Sequence, residues 1–231
     1  MKISRNMVYT QEQIDNMKAE FVSLLRSTNR NGMENVISWL ENQSDFFTAP
    51  ASASYHGSFV GGLLSHSLNV YKAALRIREN MKELALPEKN IASITDESVI
   101  IATLLHDVCK TNFYSPKKKM WKDETREYPN QWRAYQSYEI VDKFPLGHGE
   151  KSVIMLLSLG LTLTGQEICA IRWHMGMTDP GSYLSPYEKP ALMKAINDVP
   201  IVMLVAQADA FASFNMEKEV DQKTENEVPL N

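Results

Sequence analysis

Ser98-Val-Ile-Ile-Ala-Thr-Leu-Leu-His106-Asp107-Val-Cys-Lys110 joins an almost unbroken apolar run to a histidine and an aspartate. From Val99 to Leu105 only Thr103 interrupts the apolar residues, so a helix here is apolar on every side and belongs in a core. Thr95 is placed to cap it, and Asp96 and Glu97 fall in its first turn, where carboxylates suit the helix dipole. Its far end carries an imidazole and a carboxylate, side by side, into the interior. A charge taken into a core must be paired, hydrogen-bonded or bound to a metal. The rest of the chain therefore has to supply partners for His106 and Asp107.

On the N-terminal side, Thr10-Gln-Glu-Gln13 has the form of a capping box, and Ile14, Met17, Phe21, Leu24 and Leu25 follow at helical spacing. Asn29-Arg-Asn-Gly32 stops that helix, and Met33 to Leu40 predicts a second. After an irregular piece from Ser44 to Ser54 comes Tyr55-His56-Gly-Ser-Phe-Val-Gly61-Gly62-Leu-Leu-Ser-His66-Ser-Leu-Asn-Val70, helical to about Lys82. Glycines cost about 1 kcal/mol each in a helix interior, so this adjacent pair implies a close approach of something. His66 lies near the apolar face of Leu63, Val70 and Ala74; taken singly, it reads as a satisfied core histidine. Pro87 opens the connection to the apolar helix.

Beyond Lys110 the pattern changes. Residues 111–138 interleave Phe113, Tyr114, Trp121, Trp132 and Tyr135 with Lys117 to Lys119, Arg126 and Arg133, which predicts an irregular insertion or a β-hairpin whose register the weak alternation does not fix. Gly147-His148-Gly149 puts a histidine at the start of a helix, where backbone N–H groups favour an anion. Thr164-Gly-Gln-Glu167 is a second capping box, opening a helix that ends at Trp173-His174-Met-Gly176; His174 by itself would answer the helix dipole. Pro200 begins the last long helix, nearly continuous in apolar residues apart from Asp209. From Glu217 to Asn231 the chain turns polar, which predicts a frayed or disordered tail.

A chain of 231 residues with 44% hydrophobic residues can bury a full core. A net charge of −4 gives no general attraction to nucleic acid or membrane, so any such contact has to be local. Cys109 and Cys169 sit in apolar helical patterns and read as reduced core residues, not a disulfide framework. No apolar run reaches membrane-spanning length and the N-terminus lacks a signal core, so the expected setting is the cytoplasm. No internal repeat and no phosphate-binding glycine loop is evident.

His66, His106, Asp107 and Asp209 each fall on or near an apolar helical face. In that order and spacing the chain resembles the HD superfamily of metal-dependent phosphohydrolases, with its pattern H…HD…D. The resemblance covers roughly Tyr55 to Phe214, and the stretch His56 to Val70 is most similar to HD domains of bacterial exoribonuclease and small HD-hydrolase type. It implies an all-α HD helical bundle with a short insertion after the HD helix, in three parts: N-terminal helices 1–54 packed on the core, an HD domain 55–216 (insertion about 111–138) and a tail 217–231. Some members of the family hold a second metal through two further histidines, and His148 and His174 match these. His56 is left either as a partner supporting the metal ligands or as a substrate contact. Members with a lysine three places after the aspartate often have glycine before it, whereas here Cys109 stands there and Lys110 is kept as the phosphate contact.

What the resemblance implies chemically is a phosphomonoesterase or phosphodiesterase using a metal-activated water. Imidazole and carboxylate together suit Mn, Fe, Co, Ni or Zn better than Mg. With two ions, Asp107 would bridge them, and Asp107 and Lys110 are the catalytic candidates. Lys110, Arg133 and Arg172 would meet the phosphate charge. The basic-aromatic insertion suggests a nucleotide or short single-stranded nucleic acid as substrate. The alternative is an HD-fold protein that senses a nucleotide without cleaving it. Neither the substrate nor the oligomeric state can be read from the residues.

Overall fold

The apolar stretch does form a buried helix, and seven others are arranged about it among the described residues. The computed structural model describes residues 9–83, 93–123, 131–176, 188–217 and 227–228. Pro87, Arg126 and most of the expected tail lie outside these.

Helix α1 (Gln11–Ser27) begins at the Thr10–Gln13 capping box, with both reciprocal hydrogen bonds made. Helix α2 (Met33–Asn42) follows Gly32, which turns the chain at φ +85°; a Cβ there would lie 2.0 Å from the Gly160 carbonyl oxygen. Helix α3 (Gly62–Glu83) starts at the glycine pair. The approach that the pair implies is real: a side chain on Gly62 would meet the Gly57 carbonyl oxygen at 1.9 Å, while Gly61 holds φ +81°. Helix α4 (Asp96–Leu105) is capped by Thr95, and every residue from Ser98 to Leu105 is buried. One turn of 3-10 helix, Val108–Lys110, completes it.

Strands β1 (Tyr114–Asp123) and β2 (Gln131–Ile140) then form an antiparallel hairpin, with Tyr114 opposite Ile140 and Asp123 opposite Gln131. The insertion is thus a β-hairpin. Pro116 is tolerated because β1 is an edge strand. A two-residue strand β3 (Glu227–Val228) pairs with β2 at Ala134 and Tyr135. Helices α5 (His148–Ser158), α6 (Gly165–Arg172), α7 (Glu188–Asp198) and α8 (Pro200–Phe211) complete the bundle, with the Thr164–Glu167 capping box intact at the start of α6.

Phe21, Leu25, Ile37 and Leu40 of α1 and α2 share one core with Leu63, Leu64 and Leu68 of α3, Ile101, Leu104 and Leu105 of α4, and Leu204 and Val205 of α8. Helix α3 packs on α4 and α8, and α6 on α4, α5 and α8. The ends of α4 and α6, the start of α5 and the middle of α3 consequently meet at one place. No single described helix is long and apolar enough to cross a membrane; α7 and α8 reach that composition only together, across a 101° bend.

Candidate metal centre

His66 lies inside α3, His106 at the C-cap of α4, and Asp107 in the turn that follows. His148 is the first residue of α5, His174 follows the last turn of α6, and Asp209 is near the end of α8. Five elements thus deliver six side chains to one point, all but His148 of them buried.

Asp107 is the centre of the arrangement. Its Oδ2 lies 3.5 Å from His66 Nε2 and 3.3 Å from His106 Nε2. Its Oδ1 lies 2.6 Å from His148 Nε2 and 3.5 Å from His174 Nε2. His66 Nε2 is also 3.2 Å from His106 Nε2 and 3.2 Å from Asp209 Oδ1. One carboxylate therefore faces two sets of imidazoles, one per oxygen. His66, His106 and Asp107 have ligand atoms close enough to share an ion; so do Asp107, Cys109 and His148, and His106, His174 and Asp209.

The outer ring nitrogens show what the inner ones are for. His106 Nδ1 is 2.7 Å from the Thr103 carbonyl oxygen, and His174 Nδ1 is 2.7 Å from that of Ile171. A carbonyl oxygen can only accept, so Nδ1 carries a proton and Nε2 is the nitrogen turned inward. His174 Nε2 is buried and has no hydrogen-bond partner among the described residues. Unsatisfied buried nitrogens are rare in folded proteins, and a cation is the partner that this one fits. The residues present thus fit a divalent transition metal.

Electrostatics run the same way. Burial opposes ionisation of Asp107, but the Lys110 ammonium and the His106 and His148 rings outweigh it and hold the carboxyl well below its usual range. Burial also opposes a charge on His66, yet hydrogen bonds to Asp209 and Glu217 push it up to about 10, so a cation arriving at Nε2 displaces a proton. His56, its ring 5.1 Å from that of His66, is pushed down to about 4 by burial and by the charges of His66 and Lys110.

Above the cluster opens a cavity of about 640 Å³, with Tyr55, Lys110, Phe113, Tyr114, His148 and Arg172 among its walls. Lys110 Nζ is 2.6 Å from Asp107 Oδ2, placing an ammonium where cluster and cavity join. Arg172 reaches the cavity but is already engaged: its guanidinium bonds Glu150 at 2.6 Å, lies 3.5 Å from Glu188 and stacks 3.9 Å above Trp173. Arg133 sits elsewhere, half-buried on β2 opposite Trp121. Of the insertion's basic residues, Lys117 is exposed and tied to Glu139 at 2.7 Å, and Lys119 is 3.5 Å from Ser54 Oγ.

Glu217 is the site residue that sequence reasoning missed. Assigned to the polar tail, it instead comes back into the cluster, with Oε1 accepting from His66 Nδ1 at 2.8 Å. A charged residue at the head of a charged run carries no local signal that it turns inward. The sulfur of Cys109 was likewise not foreseen at 3.4 Å from His148 Nδ1.

A model of the HD domain family matches residues 63–213. Among characterised proteins, the dihydroneopterin 2',3'-cyclic phosphate phosphodiesterase of Methanocaldococcus jannaschii is 34% identical over 70 residues, covering 30% of this chain and 26% of that protein. No solved structure matches.

Proposed function

This chain belongs to the HD domain family, and from that premise we propose that it is a metal-dependent phosphohydrolase acting on a small phosphoester, with a nucleotide-like phosphodiester as the best candidate. The observation that carries the reading is the division of Asp107, one oxygen toward His66 and His106 and the other toward His148 and His174. His66, His106, Asp107 and Asp209 would hold one ion, and His148 and His174 would hold a second against the other Asp107 oxygen. Such ions supply Lewis acidity, lowering the pKa of water and offsetting charge on phosphoryl oxygens.

The chain's own groups account for the rest. Lys110, charged because Asp107 outweighs its burial, presents an ammonium to a phosphate entering the cavity. Tyr55, Phe113 and Tyr114 offer aromatic faces beside it. A space of about 640 Å³ suits a small molecule. The similar protein of Methanocaldococcus jannaschii is named as a dihydroneopterin 2',3'-cyclic phosphate phosphodiesterase, which supports a small cyclic phosphodiester as the substrate class.

The test is turnover by protein stripped of metal and reloaded with Mn, Co or Zn. The panel should hold bis(p-nitrophenyl) phosphate, nucleoside 2',3'-cyclic phosphates and a dinucleotide. We expect hydrolysis of at least one diester, abolished by chelation and restored by metal. Tight nucleotide binding with no turnover under any loading would leave a sensor instead.

A further inference from the structure

The three buried histidines are anchored in two different ways. His106 and His174 stand at or just past helix ends, where the last carbonyls lack intrahelical partners, and each takes the carbonyl three residues back. His66 has no such choice. It lies inside α3, where backbone carbonyls are engaged along the helix and the Leu63 carbonyl also accepts from Ser67 Oγ. Its Nδ1 proton needs an acceptor from outside the helix.

Glu217 supplies it. A π-helical turn, Ala212–Met216, continues the helix that carries Asp209, and the Glu217 N–H closes that turn on the Ala212 carbonyl. The side chain, 7% exposed, enters beside α3, where Asn69 Nδ2, one turn along from His66, lies 3.4 Å from the same Oε1. The other oxygen, Oε2, is buried without a hydrogen-bond partner among the described residues. Burying a carboxylate this way is unfavourable unless the interaction it makes is needed. One segment thus brings Asp209 to the inner nitrogen of His66 and Glu217 to the outer one, at 3.2 and 2.8 Å.

We propose that Glu217 is a positioning residue of the metal centre: it holds the proton on His66 Nδ1, fixes the ring with Nε2 toward the ion, and makes that nitrogen a stronger donor. The inference rests on the metal-hydrolase reading and adds a residue to it. The region that the charge pattern assigns to a tail therefore begins as part of the site. Outer partners of this kind change metal affinity by about 10- to 100-fold when removed.

The experiment measures Co(II) and Mn(II) affinity of full-length wild type, Glu217→Ala and Glu217→Gln, per folded chain, with thermal melts to verify folding. Glu217→Ala should weaken binding by about 10- to 100-fold, and the visible bands of bound Co(II) should shift as the His66 ring loses its orientation. Glu217→Gln keeps an oxygen that accepts from Nδ1, so it should recover most of the affinity. Unchanged affinity in Glu217→Ala overturns the inference alone, leaving the hydrolase reading standing. Glu217→Gln as weak as Glu217→Ala also overturns it, because the carboxylate would then be holding the ion itself. A wild type that binds neither metal removes both readings.

Discussion

Two buried polar clusters lie in this bundle, and they spend their hydrogen-bonding capacity in opposite ways. In the first, Glu167 on α6 receives Arg30 through both oxygens, at 2.7 and 2.8 Å. Ser98 Oγ donates to one of those oxygens at 2.7 Å and the Thr164 N–H to the other at 2.8 Å, while Arg30 also bonds the Thr162 carbonyl. Four donors meet the two Glu167 oxygens. In the second, around Asp107, imidazole nitrogens face carboxylate oxygens and one another, and His174 Nε2, 3.5 Å from Asp107 Oδ1, has no hydrogen-bond partner among the described residues. A cluster that saturates itself is complete as folded structure; one that converges lone pairs on a point is built for a ligand.

Exchanging damage between the clusters should separate the two roles. Asp107→Ala removes the carboxylate common to both imidazole sets, and metal per folded chain should fall to near zero, read by elemental analysis. Glu167→Ala strands Arg30, and losing one partner of a buried pair costs about 3–5 kcal/mol. At roughly 2–4 °C per kcal/mol for a chain of this size, that is a fall in Tm of about 6–20 °C, with metal per folded chain unchanged. Metal lost in Glu167→Ala, or retained in Asp107→Ala, breaks the distinction.

The saturated cluster also carries a pH signature. Burial disfavours ionised Glu167, but Arg30, the Thr164 N–H and Ser98 outweigh it and hold the carboxyl below its usual range. A lowered folded-state value stabilises above the unfolded value, near 4.5, and that contribution is lost as pH falls through the folded one. Glu167→Gln should therefore lose less stability than wild type on acidification below about pH 4.5, read as Tm against pH. Equal acid slopes would mean that the pair contributes nothing to it.

A smaller effect divides the metal centre itself. His174→Ala and His148→Ala each remove a nitrogen from the Asp107 Oδ1 side and leave His66, His106 and Asp209 in place. Metal should drop by about one ion per chain in each variant, with the remaining ion still bound. Unchanged stoichiometry in both would return His174 to a helix-end histidine and His148 to an ordinary partner of Asp107.

What the sequence made legible follows from the same physics. His66, His106, Asp107 and Asp209 stood out because a polar group inside an apolar helix is an anomaly that periodicity exposes. The Thr10 and Thr164 capping boxes were legible because their partners lie three residues away. Arg30–Glu167 and His66–Glu217 were not, since their members lie 137 and 151 residues apart and each is an unremarkable charge in its own neighbourhood. Arg172 was read as a phosphate contact from its charge alone, and only the fold shows Glu150 and Glu188 beside it. The hairpin's register rests on backbone pairing that weak alternation could not announce.

The smallest effect concerns the insertion, where composition suggested ligand binding by Lys117 to Lys119 and Trp121. Of the insertion's aromatics, Phe113 and Tyr114 at its base line the cavity. Phe113 and Tyr114 meet edge to face at 5.0 Å at the foot of β1, and Tyr55 projects from the loop before α3, 77% exposed, at the rim. Lys117, by contrast, is held in a cross-strand pair with Glu139 outside the cavity. A large exposed aromatic contributes little to folding, so Tyr55→Ala should leave Tm nearly unchanged. A base stacked on such a ring gains about 1–3 kcal/mol, so the variant should raise KM for a nucleotide diester by on the order of tenfold or more. A small aryl diester, bound chiefly through its phosphate, should be turned over with nearly wild-type KM. Lys117→Ala should move neither value. If Tyr55→Ala alters both substrates equally, the rim does not read the base; if Lys117→Ala has the larger effect, the ligand lies along the hairpin and not in the cavity.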